Sequence, residues 1–360
     1  MNGGAGIFWA IGHQRNVTSI FNRVRLEAIG GKSDFPRNER VTVGSMSKQR
    51  ETSPTLIGPG MSDKYLDDDQ KEKQTSECFS YKWGRKETYD SDAMKQKAYR
   101  WLIERYFGNE EERNKFVVKS KGKRMLDAGC GSGFSASVLF AKDLNDMEYL
   151  GVDLSDSLKA AQERFHELGL EGDFIKESIA TMKLGKKFDI IFCEGVLHHT
   201  SNPFESLRNL VFHLDMNGII MFYVYRKKAI IREWVDDLIR GRLKDLSNEK
   251  AWEALMPLTK LGKMIGDLNI EIAIDEDIPL LDIPRGKYDL QRFLYWFFIK
   301  MYYDKNLSLE EMNHVNFDWY RPLICHRFEP EQVETWLHEL KLKKMRFVVE
   351  ESGITAVAKL

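Results

Sequence analysis

From residue 124 to residue 225 the chain repeats one alternation: a short apolar run, then a longer stretch with apolar positions at helical spacing. Runs at 124–127, 149–153, 173–176, 188–193 and 219–225 are strand-length, and the fourth is apolar almost throughout, which suits burial on both faces. Helical patterns at 134–139, 158–168 and 204–214 separate them, and Gly169 stands where a helix C-terminal glycine belongs. Such an alternation predicts an α/β domain with a parallel sheet. Ahead of it, a helix over 91–106 sets Ala98, Leu102 and Tyr106 on one face.

The alternation stops at residue 226. Residues 226–328 are polar-helical and aromatic, with helices near 230–243, 250–264, 290–303 and 308–315, and read as an insertion. The core resumes with a helix at 330–340 and a hairpin of strands 345–350 and 354–359, turning at Glu351-Ser352-Gly353. The core is therefore 78–225 joined by 329–360, with organised chain expected from Cys78 onward.

Residues 1–77 differ from both parts. The first 60 are rich in Gly, Ser, Thr and Arg, and their one apolar patch, at 7–11, is too short for a secretory signal. The composition is that of a disordered or non-native extension, with Met46 and Met61 as alternative starts and a charged run from Asp63 to Lys73 typical of a solvated leader. Arg15, Arg23 and Arg25, without an acid in the first 26 residues, leave an organelle transit peptide open.

Charge and cysteine usage narrow the class. Lys+Arg number 54 against 55 Asp+Glu, a net charge of −1, so no broad nucleic-acid surface is expected. Cys78, Cys130, Cys193 and Cys325 include no C-x-x-C pair and read as free thiols in a reducing, cytoplasmic setting. No apolar run approaches the ~20 residues of a membrane span.

The chemistry concentrates where the first strand ends. Asp127 is followed by Gly129, Cys130, Gly131 and Gly133, and an apolar helix then begins at Phe134. Glycines let a backbone turn sharply and let a ligand sit against main-chain atoms, and at a strand's carboxyl end they make a nucleotide-sized crevice. Asp153, with Leu154 beside it, ends the next strand and is placed to grip ribose hydroxyls. A dinucleotide loop would want its third glycine one residue later, where Phe134 stands, and Asp127 would sit badly beside a pyrophosphate. That carboxylate suits a ligand carrying a positive ammonium and sulfonium.

The pattern Asp-x-Gly-x-Gly-x-Gly with Asp153 following resembles the first motif of class I S-adenosylmethionine-dependent methyltransferases. The order of elements resembles that family's Rossmann-like seven-stranded sheet, five parallel strands plus a closing antiparallel pair, here with the helical insertion after strand five. The resemblance implies S-adenosyl-L-methionine as cofactor, held by Asp127, Gly129, Cys130, Gly131, Gly133, Asp153 and Leu154. It also implies that Glu177 and Ser178, after strand three, lie near the adenine, with glutamate replacing the commoner aspartate. Glu194, in the segment after strand four, would line the methionine portion. Leu197-His198-His199 resembles the branch related to ubiquinone and menaquinone methyltransferases, called methyltransferase type 11. The likeness runs from Cys78 to the carboxyl terminus, strongest over 124–225 and weak across the insertion.

Methyl transfer from a sulfonium is an in-line displacement, so positioning in a water-poor pocket supplies most of the acceleration. A hydroxyl acceptor must also lose its proton, and His198 or His199 is the natural base, although either equally suits a packed, hydrogen-bonded role. The insertion should carry acceptor specificity. Tyr225 and Arg226, leaving strand five, are placed to orient an acidic or hydroxylated group. His314, Asp318, Tyr320 and His326 lie in a dense polar-aromatic stretch suited to a pocket wall, and their separations match no standard metal motif. Tyr81 and Trp83 precede the core, in a segment that often closes over the cofactor in related enzymes.

These readings point to methyl transfer onto a small-molecule or saccharide-like acceptor. RNA or protein methylation, a cofactor-binding regulator without turnover, and a dinucleotide-dependent reductase are the alternatives. The sequence does not set the oligomeric state.

Overall fold

The structure is a computed structural model that describes residues 67–360. The readings made for residues 1–66 lie outside it. The first element, α1 (Asp68–Trp83), opens with a capping box in which Asp67 accepts the Gln70 N–H at 2.8 Å. Residues 68–77, read above as leader, are thus helical, and they pack onto the site. Helices α2 (Asp92–Tyr106, capped by Ser91) and α3 (Glu110–Lys119, capped by Asn109) follow.

The α/β alternation takes the expected form. It comprises β1 (Arg124–Ala128), α4 (Phe134–Phe140), β2 (Glu148–Asp153), α5 (Leu158–Leu168), β3 (Asp173–Lys176), β4 (Phe188–Glu194), α6 (Pro203–Phe212) and β5 (Leu214–Tyr225). Gly169 ends α5 at φ 64°, and Pro203 opens α6 behind its Asn202 cap. The insertion adds α7 (Ile230–Leu243), α8 (Asn248–Asp267), a small hairpin of β6 (Glu271–Ile274) and β7 (Gly286–Asp289), α9 (Leu290–Phe297) and α10 (Leu309–Tyr320). The chain closes with α11 (Pro330–Glu339), β8 (Lys343–Val349) and β9 (Gly353–Lys359).

Seven strands form one sheet in the order β3-β2-β1-β4-β5-β9-β8. The first five are parallel, and β9 runs antiparallel to β5 and β8. Chain order reverses between β1 and β4, and such a switch point leaves a crevice beyond the strand carboxyl ends. One core, with Leu126, Ile191, Leu207, Phe222 and Val333, fills one sheet face; another, with Met125, Phe140, Phe165 and Phe192, fills the other. A third, built from Cys78, Tyr225, Leu255, Phe317 and Trp319, fastens α1 and the insertion onto the end of β5.

The insertion departs from its sequence reading in three places. β6 and β7 pair where no strands were expected, because each holds only four residues. α9 stops at Phe297 instead of reaching 303, because side chains take over the backbone of 300–303. Gln291 Nε2 donates to the Met301 carbonyl, Tyr320 Oη to that of Lys300 and Arg292 to that of Tyr303, while Asn316 accepts the Tyr302 N–H. α10 runs five residues past the expected 315, because Asn313 and Asn316 satisfy each other's polar groups through Thr259, burying a polar helix face against α8.

Candidate active site

β1 runs into a turn in which Gly129, Gly131 and Gly133 have φ of 79°, 54° and 68°. Side chains are disfavoured there, and the space is also taken. A Cβ on Gly129 would lie 2.4 Å from the Val196 methyls, and one on Gly131 2.7 Å from Trp83 Nε1. The Gly129 and Cys130 N–H groups donate to the Val152 carbonyl at 2.7 and 3.1 Å, which pins the turn against β2. Asp153 Oδ2 accepts the Gly131 N–H at 2.8 Å, and its Oδ1 accepts the Ser155 N–H and hydroxyl at 2.8 and 2.6 Å. Burial raises the Asp153 pKa, and these donors pull the other way.

Beyond the carboxyl ends of the strands lies a cavity of about 230 Å³. Gly129, Asp153, Leu154, Ser155, Ser178 and Ile179 form one side; Glu194, the last residue of β4, and Gly195 and Val196 after it form its floor. His199, Thr200, Tyr223, Tyr225 and Asp318 form the other side. α1 covers it with Glu72, Thr75, Ser76, Phe79, Lys82 and Trp83, and Trp101 joins from α2.

Several expected residues face elsewhere. Asp127 points with Met125 into the sheet face beneath the cavity, where it accepts the Tyr149 hydroxyl at 2.7 Å; burial lifts its pKa to about 7. Cys130, Gly131 and Gly133 shape the turn from behind, and Glu177 is exposed outside the cavity. His198 does not line the cavity: its ring lies 3.7 Å from that of Tyr225, and neither ring nitrogen has a partner among the described residues. Tyr81 packs on Phe317 and Trp252, and Arg226 bridges to Phe328. His314 bonds Thr88 at 2.8 Å, Tyr320 bonds the Lys300 carbonyl, and the His326 ring packs near Phe328. None of these residues lines the cavity wall.

His199 does reach the wall. Its Nδ1 is 2.6 Å from the Ile324 carbonyl, which can only accept, so the proton sits on Nδ1 and the lone pair on Nε2. Burial pushes its pKa down to about 4, against the pull of Asp318 and the Ile324 carbonyl. Asp318 accepts from Lys82 Nζ and, at 3.0 Å, from the Tyr225 hydroxyl. Burial opposes ionisation of Asp318, but the Lys82 ammonium outweighs it and holds the carboxyl well below the usual range.

A second network was not foreseen. Arg105 of α2, fully buried, donates to Glu194 at 3.1 Å and to Glu350 at 3.0 Å. Its guanidinium lies between the Trp101 and Tyr223 rings, at 3.2 and 3.7 Å from their centroids. Tyr106 also donates to Glu194. Among the signals available, an arginine and a tyrosine adjacent on the buried end of a predicted helix was the one that marked it.

The site fits S-adenosylmethionine. Gly129 brings bare main chain to the cavity wall, Asp153 keeps further lone pairs for ribose hydroxyls, and Glu194 sets a largely buried carboxylate on the cavity floor. Residues 119–264 match a family model described as a methyltransferase domain. The chain is 25% identical over 213 residues to a ubiquinone biosynthesis O-methyltransferase of Rickettsia canadensis, covering 57% of this chain and 84% of the relative. It is 29% identical over 113 residues to a tRNA U34 carboxymethyltransferase of Campylobacter lari, covering 29% and 36%. Among solved structures, it is similar to magnesium protoporphyrin IX methyltransferase of Synechocystis with bound SAM, with a TM-score of 0.41, 12% identity and coverage of 82% and 97%. The family match falls on the strands that carry the glycine turn and Asp153, and there the chain carries a methyltransferase domain that uses S-adenosylmethionine.

Proposed function

We propose that the protein methylates a hydroxyl of a small-molecule or saccharide-like acceptor, with His199 taking the proton. The observation that carries this reading is the fixed tautomer of His199 at the cavity wall. S-adenosylmethionine supplies an electrophilic methyl on a positively charged sulfur. Asp153 would hold the ribose, Leu154 and Ile179 would offer apolar contact to the base, with Ser178 beside them, and Glu194 would face the cationic end. His199 Nε2 accepts the acceptor's proton as the methyl arrives, and Asp318 stabilises the resulting imidazolium across the wall. With His199 taking the proton, the positive charge lost from the sulfonium would be replaced by that of the imidazolium, so the site would keep its net charge. α1 lies against the crevice and would limit water there, with Phe79 and Trp83 as its apolar part.

Release of S-adenosylhomocysteine by the purified protein against a panel of hydroxylated small molecules, with a tRNA arm alongside, tests the reading. Turnover with a hydroxyl compound and none with tRNA supports it. Methylation confined to tRNA, or no calorimetric heat with either form of the cofactor, overturns it.

A further inference from the structure

Beside the two carboxylates assigned to the cofactor, Asp153 and Glu194, the cavity lining carries two more, Glu72 and Asp318. Among the described residues that line the cavity, Lys82 is the one lysine or arginine. Lys82 is itself nearly buried, paired with Asp318 and set 3.9 Å over the Trp83 ring. Arg226, which the sequence offered for an acidic substrate, does not reach the cavity. A carboxylate or phosphate entering here would meet a surplus of like charge. To win Lys82 it would have to take the ammonium from Asp318 and leave that half-buried carboxylate with the Tyr225 hydroxyl alone, a loss that its own pairing does not recover. A neutral hydroxyl faces no such penalty. Tyr225, Thr200, Ser76 and His199 offer it hydrogen-bonding groups, and Phe79 and Trp83 offer apolar faces.

We infer that the acceptor is an uncharged hydroxylated molecule and that Asp318 determines this specificity, neutralising Lys82 so that carboxylates and phosphates are excluded. The word acceptor rests on the methyl-transfer reading above; the exclusion of anions does not.

The test uses the full chain saturated with S-adenosylhomocysteine, titrated with inorganic phosphate and with acetate at constant ionic strength. Trp83 and Trp101 fluorescence reports on the cavity wall. The wild type shows no saturable response, whereas Asp318→Asn, which frees the ammonium of Lys82, gains at least about tenfold in phosphate affinity. Glu72→Lys keeps the experiment decisive should Asp318→Asn not fold. It adds an unpaired cation at the half-buried wall without touching the Lys82–Asp318 pair, and it too gains phosphate binding. Saturable phosphate or acetate binding by the wild type, or no gain in a folded variant, overturns the inference. Failure of the wild type to bind S-adenosylhomocysteine would strike the methyl-transfer reading instead.

Discussion

His199 donates its Nδ1 proton to the carbonyl oxygen of Ile324 at 2.6 Å, a bond that joins the loop between β4 and α6 to the segment after α10. It sets which nitrogen is basic, and burial then keeps the ring neutral with a pKa of about 4. The sign follows directly. On the proposed role of His199 as base, neutral imidazole is the working form and is lost only as pH falls through about 4, so kcat should be level from neutrality down to about pH 5. His199→Gln should lower kcat about a hundredfold while leaving S-adenosylhomocysteine affinity within about twofold. His198→Gln, away from the wall, should keep most of the turnover. Steady-state kinetics with calorimetry distinguishes the two, and equal losses in both variants would remove His199 from the proton path.

Gly129 and Val196 are packed so closely that no side chain fits between them. Gly129→Ala combines a φ of 79° with a Cβ only 2.4 Å from the Val196 methyls. Relief must move Val196, which lines the cavity, so stability falls by about 2 kcal/mol and cofactor affinity drops with it. Val196→Ala in the same chain should recover part of both. A double-mutant cycle read by thermal melting and calorimetry checks the coupling.

Arg105 serves Glu194 and Glu350 at once. Arg105→Met keeps the alkyl stem but leaves two carboxylates without their cation, one of them on the cavity floor. Removing one partner of a buried pair costs about 3–5 kcal/mol, and denaturant unfolding should show a loss of that order. Arg105→Met with Glu194→Gln should be less damaging than Arg105→Met alone. If the double variant is the less stable, the pairing is not what Arg105 contributes.

The parallel sheet was legible in the sequence because each strand is a short apolar run bounded by polar turns, and β3 and α5 fall on their expected limits. The glycine turn and Asp153 were legible for the same local reason. Lys82, Phe79 and Arg105 were not, since their roles depend on partners far along the chain. Lys82 meets Asp318 across 236 positions, and Arg105 meets Glu350 across 245. His314 and Tyr320 share the chemistry of pocket residues but turn toward the third core, a choice that helix α10 makes by burying its polar side on Thr259 and Trp252. Asp127 lies outside the cavity for a geometric reason: one step of strand pleat separates a residue that faces the crevice from one that faces the core.

Asp127 and Asp153 should therefore respond differently to the same substitution. Asp127 has a pKa of about 7 in the folded chain, raised first by burial and further by Asp153 and Glu194, with the Tyr149 hydroxyl opposing. Its ordinary value is 3.8, so between the two the folded protein holds a proton that the unfolded chain releases. The stability this contributes is complete below 3.8 and is lost as pH rises through about 7, with a slope approaching about 1.4 kcal/mol per unit. His198, His199 and His314, all depressed by burial, slope the opposite way below about 6.5. Comparison with Asp127→Asn cancels the histidines and isolates the carboxyl. The variant should gain on the wild type steadily from pH 4 to pH 7 and level off above it, in urea unfolding measured at each pH. Its S-adenosylhomocysteine affinity should change less than about threefold, whereas Asp153→Asn, on the cavity wall, should lose at least about tenfold. Parallel stability curves, or equal losses of affinity, would put Asp127 back in the cavity.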